Sequence, residues 1–187
     1  MTTIMSDLNN IKKRINVSGA IIYRKNEYGE NEILLIQRSK DDHFPLMWEI
    51  PRGKCDRIKN ENIRICLRRE VKEECGLDIK IEKFINSFFY LADGGERQSK
   101  QYNFLCRVIN PEQPVILSEE HSSFQWISEV SKIQLMVMPE IYKTIKNSEI
   151  LNFSDKKEDV AEMIEEGIKE FFRKRNDFFL NHNYFLK

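Results

Sequence analysis

Residues 69–77, REVKEECGL, carry three glutamates, Glu70, Glu73 and Glu74, at spacings i, i+3 and i+4. On a helix these positions lie about one turn apart on one side, where like charges repel. The same segment repeats apolar residues every three to four positions, at Ile63, Leu67 and Val71, with Cys66 beside them. That period predicts a helix over 61–75, pinned to a core by its apolar stripe and presenting carboxylates on a roughly opposite face. Gly76 follows where a helix C-terminus takes a left-handed residue. Taken alone, a glutamate cluster of this kind is more often a solvated charged face. The other reading is a site for a hard divalent cation, because carboxylate oxygens suit Mg²⁺ or Mn²⁺.

The residues upstream favour the cation. Gly53 ends the run WEIPRG before Lys54, Glu61 stands alone beyond a polar loop, and seven residues separate Glu61 from Arg69. A glycine, an isolated glutamate, seven spacers and R-E-U-x-E-E-x-G-U (U apolar) together resemble the signature of the Nudix hydrolases. Arg69, Glu70, Val71, Glu73, Glu74, Gly76 and Leu77 match it, and Glu61 has the right offset. One departure stands out: the family places five residues between the glycine and the first glutamate, and here there are seven. In strict register Cys55 takes the glycine's place. Surface loops absorb such insertions at low cost, but the backbone carbonyl of Gly53 as a metal ligand is put in question by it.

The rest of the chain is compatible with one such domain. With 187 residues it can bury a full core and carry a small appendage. Residues 16–24 and 33–39 read as a hairpin, Trp48 to Ile50 as a short extended piece, and 79–91, 101–109 and 119–128 as further strands. Residues 129–149 read as helical, with Pro139 near a start. This order points to an α/β fold with a mixed sheet between helices, and the Nudix resemblance implies an α/β/α sandwich. We divide the chain into a Nudix-type domain over 1–150 and a C-terminal helical extension over 151–187. In the extension, Asp155 and Glu158 have capping-box spacing, and Val160, Met163, Ile164, Ile168, Phe171 and Phe172 form an amphipathic stripe. It packs either on its own domain or on a second subunit, and its apolar tail raises the expectation of a homodimer.

Composition sets outer bounds. Thirty basic side chains balance thirty acidic ones, which counts mildly against a dedicated nucleic-acid binder. Only Lys12, Lys13, Arg14, Arg173, Lys174 and Arg175 offer a scattered basic track. There is no run of eighteen apolar residues, so no membrane span is expected, and the N-terminus does not read as a secretory signal. Cys55, Cys66, Cys75 and Cys106 contain no CxxC pair. Such thiols are expected to be small packing residues in a reducing cytoplasm.

The resemblance implies roles for particular residues. Glu70, Glu73 and Glu74, with the Gly53 carbonyl, would hold Mg²⁺ (or Mn²⁺), and Arg69 would tie Glu61 to the helix in a supporting role. Family members place the general base on a helix glutamate, Glu73 or Glu74, or on one in a later loop. The stretch from Glu119 to Trp126 resembles the E-H-x-x-x-x-W of several Nudix enzymes, so Glu120 is the later-loop candidate; otherwise it is a surface acid. His121 is read as a packing or hydrogen-bonding group before a catalyst. Arg38, Trp48, Arg52 and Lys54 are candidate substrate binders, by phosphate contact or base stacking. Trp48 serves a core equally well, and Arg38 could simply end its strand.

The activity expected is Mg²⁺-dependent hydrolysis of a phosphoanhydride in a nucleoside-diphosphate-linked substrate, such as a nucleoside triphosphate or dinucleoside polyphosphate. WEIPRGK and CLRREVKEECG look more like the RNA-decapping and dinucleoside-polyphosphate branches than like sugar-nucleotide enzymes. Decapping of capped RNA is the alternative. A second is a nucleotide sensor without catalysis, which the intact carboxylate set disfavours.

Overall fold

The computed structural model describes residues 12–42, 44–55, 61–93, 96–129, 133 and 137–151. Among the described residues, seven strands and two helices run in the order β1 (Lys13–Lys25), β2 (Asn31–Arg38), β3 (Trp48–Glu49), β4 (Arg52–Lys54), α1 (Ile63–Cys75), β5 (Ile79–Ala92), β6 (Arg97–Val108), β7 (His121–Ile127) and α2 (Pro139–Ser148). The C-terminal extension lies outside the described residues save for Leu151, and with it the expected subunit contact. Among the described residues, no helix is long and apolar enough to cross a membrane.

The sheet is mixed, as expected. β1 runs parallel to β6 along its length and antiparallel to β2, while β5 and β6 form a long antiparallel pair. β4 is a three-residue strand whose Arg52, Gly53 and Lys54 lie opposite Gly19, Ser18 and Val17 of β1. Alternation along β1 sends Ala20 and Ile22 to the core beneath α1, and Ile21 to the core beneath α2. Leu67 and Val71 are fully buried under α1, each contributing about 1.5–3 kcal/mol of burial. The layers are therefore helix, sheet, helix.

Helix α1 starts and stops for local reasons. The Asn62 side chain accepts from the Arg64 N–H at 2.8 Å, satisfying a donor that the first turn leaves unpaired. Gly76 adopts φ 71° and returns its N–H to the Lys72 carbonyl. The burial pattern corrects one expectation. Glu70 and Glu74 do not stand opposite the apolar stripe; both are buried beside it, and Glu73 alone of the three is exposed. Adjacent helical residues differ by about 100°, so Glu70 and Glu74 flank Val71 and Cys75 and are carried into the seam with β4.

Cysteine usage needs a second correction. Cys75 and Cys106 are buried free thiols, but Cys55 and Cys66 are joined in a disulfide across 11 residues of sequence. Cys55, directly after β4, lies against α1, and that approach is invisible in cysteine spacing.

Candidate active site

Three carboxylates, Glu61, Glu70 and Glu73, converge on the Arg69 guanidinium at the middle of α1. Arg69 donates from Nε and Nη2 to the two oxygens of Glu61 at 2.9 and 2.7 Å, and from Nη1 to Glu70 Oε1 at 2.7 Å. A longer contact at 3.3 Å reaches Glu73 Oε2. The forked pairing with Glu61 uses the planarity that distinguishes arginine from lysine. It holds the Glu61 carboxyl below its usual range. The Lys54 carbonyl accepts from Arg69 as well, so one side chain ties loop, helix and β4 together.

The second half of the site is the contact of α1 with β4. The Glu70 carboxylate lies against Gly53, where any Cβ would overlap it. Glu74 Oε2 accepts the Arg52 backbone N–H at 2.8 Å. Gly53, not Cys55, is thus the glycine that the helix carboxylates require, and the two extra loop residues leave this approach intact. Burial is the main reason that the Glu74 carboxyl is pushed well above the usual carboxylate range, and the charge on Glu49 and Glu70 adds to it.

Glu49, which the sequence reading passed over, is the hub of the neighbouring cluster. It is buried, yet accepts from Arg38 Nη1 at 2.6 Å and Arg52 Nε at 2.7 Å, with His121 Nε2 at 3.7 Å. Burial alone would raise its pKa; Arg52, His121 and Arg38 overcome that and hold it at about 2. Arg52 in turn reaches the Tyr90 hydroxyl and Gln101 Oε1, both at 3.2 Å. Beyond them Gln101, Asn103, Asn86 and Thr144 form a hydrogen-bonded row. Gly19 is glycine because a Cβ there would strike Asn103 and Gln101. The only sequence signal for this row was the polar residues at alternate positions of QYNFL, which point with Leu105 toward α2.

The candidate substrate binders fare differently. Arg52 and Lys54 flank Gly53, Arg52 inside the cluster and Lys54 exposed. Arg38 is engaged by Glu49 and Asp42, which makes it a support for Glu49. Trp48 is buried in the core beneath α2, so the structure withdraws it as a stacking platform. Its position opposite Gln37 on a strand backed by a helix is the reason. Glu120 is exposed in the turn before β7, with its carbonyl accepting from Ser39; no side-chain contact joins it to the helix glutamates among the described residues. His121 is buried, near Glu49 and Ser118.

Among the described residues no three acidic, cysteine or histidine side chains already converge on one point as a cation cage. The donor set nevertheless fits a hard cation. Glu70 and Glu74 are buried oxygen donors on adjacent turns, and Glu74, its carboxyl raised first by burial and then by the neighbouring Glu49 and Glu70, would gain from a cation beside it.

Residues 12–144 match the model of the NUDIX domain. The chain is 33% identical over 139 residues to the Saccharomyces cerevisiae mRNA-decapping enzyme subunit 2, a match covering 74% of this chain and only 12% of that protein's length. It is 31% identical over 115 residues to the 8-oxo-dGTP diphosphatase of Buchnera aphidicola, covering 62% of this chain and 78% of that one. Among solved structures, a Caenorhabditis elegans Ap4A hydrolase binary complex superimposes with TM-score 0.61 at 27% identity, covering 72% of this chain and 94% of that one.

Proposed function

The chain belongs to the Nudix hydrolase family, and we propose that it hydrolyses, with a divalent cation, the phosphoanhydride bridge of a 5′–5′ linked dinucleoside polyphosphate. The observation that carries this reading is the pairing of Glu70 with Gly53 and of Glu74 with the Arg52 N–H, which sets two buried carboxylates beside an Arg–Tyr–Gln group. Glu70, Glu74, Glu73 and the Gly53 carbonyl would hold Mg²⁺ or Mn²⁺. Bound there, the cation supplies Lewis-acid polarisation of phosphoryl oxygens and a lowered pKa for water.

The chain's own residues do the remaining work. Arg69 fixes the Glu70 carboxylate and keeps Glu61 ionised next to the helix. The Arg52 N–H aims Glu74, and Glu49 fixes the Arg52 guanidinium, the group that would meet a phosphate oxygen. Glu73, the outermost of the three, is the carboxylate that accepts a proton from the attacking water at Oε. Tyr90 offers a ring to one nucleoside, while the fully buried Gln101 holds the Arg52 guanidinium from behind.

A second reading, hydrolysis of capped RNA, draws support from the similarity to the yeast decapping subunit; a cap is itself a 5′–5′ triphosphate linkage. Assays with Mg²⁺ against diadenosine polyphosphates, nucleoside triphosphates and capped RNA test both. Turnover of triphosphates alone would defeat the dinucleoside reading. Steep salt sensitivity on capped RNA only, which reports many phosphate contacts, would favour decapping.

A further inference from the structure

We propose that Cys55 and Cys66 form a reversible thiol–disulfide site that clamps the catalytic helix onto the end of β4, so that reduction loosens the contact of α1 with β4 and slows turnover. The inference rests on the active-site reading above, since the clamp acts on Gly53 and Arg69.

The positions of the two sulfurs carry it. Cys66 is fully buried on α1, one turn before Glu70. Cys55 follows β4 directly and is half-buried, two residues beyond Gly53. Their bond therefore spans the two elements whose contact brings Glu70 to Gly53. The Cys55 N–H also donates to the Asn16 carbonyl at 2.9 Å, so β4 stays paired when the sulfurs part. What the bond restrains is the approach of α1 to the end of β4. A cross-link between positions 55 and 66 removes conformational freedom that the reduced chain regains.

The surroundings couple sulfur chemistry to the carboxylates. Arg69 Nη2 lies 3.8 Å from Cys66 Sγ while also holding Glu61, and the Ser18 hydroxyl lies 3.2 Å from the same sulfur. A thiolate of a small dithiol can attack the accessible Cys55 sulfur. The Cys55–Cys66 bond then breaks, and Cys66 leaves with the electron pair, facing Arg69 and Ser18. The second thiol of the reductant displaces Cys55, so a cyclic disulfide departs and two protein thiols remain. With hydrogen peroxide the course reverses: one sulfur becomes a sulfenic acid with loss of water, and the other displaces a second water to restore the bond. Once freed, Cys66 competes for the Arg69 guanidinium that orients Glu61 and Glu70. Cys75 and Cys106 are fully buried, out of reach of such reagents.

The test compares the full chain before and after dithiothreitol, with thiols counted by alkylation and intact mass under native conditions. Reduction should add two alkylation sites, raise deuterium uptake over residues 61–70 and lower turnover about tenfold, as loss of an orienting contact does. Peroxide should reverse all three, and Cys55→Ser should hold the reduced level whatever the reagent. Equal uptake and equal turnover in both redox states would overturn the proposal, as would native protein with four free thiols. Should Cys55→Ser fail to fold, the wild-type comparison decides alone. Protein inactive in both states on every nucleotide would sink the hydrolase reading, and the uptake comparison would still judge the clamp.

Discussion

Gly53 and Glu70 occupy one space between them: the carboxylate on α1 lies where a side chain on β4 would have to be. A methyl group at position 53 must displace either the glutamate or the strand. Gly53→Ala is therefore expected to cost about 1–3 kcal/mol of stability from overpacking and to reduce turnover about 10–100-fold by turning a ligand. Thermal melts and steady-state kinetics measure the two effects separately. Turnover near wild type would mean that the Glu70 position does not matter to catalysis.

Glu74→Gln separates chemistry from folding. The amide keeps an oxygen for the Arg52 N–H but cannot ionise. Because the Glu74 carboxyl is raised by burial and by Glu49 and Glu70, the ionised side chain opposes folding, and the neutral amide is expected to leave stability equal or higher at neutral pH. Turnover should fall by about 100-fold or more, as removal of a catalytic metal's ligand does. Denaturant unfolding beside an activity assay checks both directions.

The periodicities of Ile63, Leu67 and Val71, and the β-branched runs, were enough to place α1 and nearly all strands within a few residues, because those patterns are set by local geometry. The Glu61–Arg69 pairing came from resemblance and is found as expected. What escaped was long-range. Glu49 is an ordinary acid in WEIPRGK until Arg38 and His121 arrive from two other segments to join Arg52 of the same run. Likewise Cys55 and Cys66 meet only because the end of β4 lies against α1. Trp48 was ambiguous for the same reason: an aromatic beside a motif reads alike in a core and in a cleft.

Arg69→Lys tests the fork that organises the helix start. An ammonium keeps the charge but cannot satisfy both Glu61 oxygens and Glu70 together. The Arg69 side chain is 17% exposed, so the loss should be about 2 kcal/mol, below that for breaking a fully buried pair. Chemical denaturation measures it. A double-mutant cycle with Glu61→Gln should show coupling, and strict additivity would mean that the pair does not act as a unit.

Glu49 gives a pH signature. Its folded value is about 2 against the ordinary 4.5, a depressed carboxylate. Its contribution to stability is thus fully present above pH 4.5 and is lost as pH falls toward about 2. The difference amounts to about 3 kcal/mol at neutral pH. Unfolding free energies followed through this window should drop for wild type and stay flatter for Glu49→Gln, which starts lower because Arg38 and Arg52 lose their buried partner.

The opposite sign at Glu74 links the cation to protons. A carboxyl whose folded pKa is raised takes up a proton on folding, and its effect on stability becomes unfavourable as pH rises from the unfolded value through the folded one. A metal ligand must be ionised, so a divalent cation binding at Glu70 and Glu74 should expel that proton. Cation affinity is then expected to climb with pH below the folded pKa of Glu74 and to level off above it. Mg²⁺ titration calorimetry in two buffers of different ionisation enthalpy counts the protons released, up to about one per ion. In Glu74→Gln the count should fall to near zero. If wild type and variant release the same number, the proton comes from elsewhere and Glu74 is not the ligand that the cation ionises.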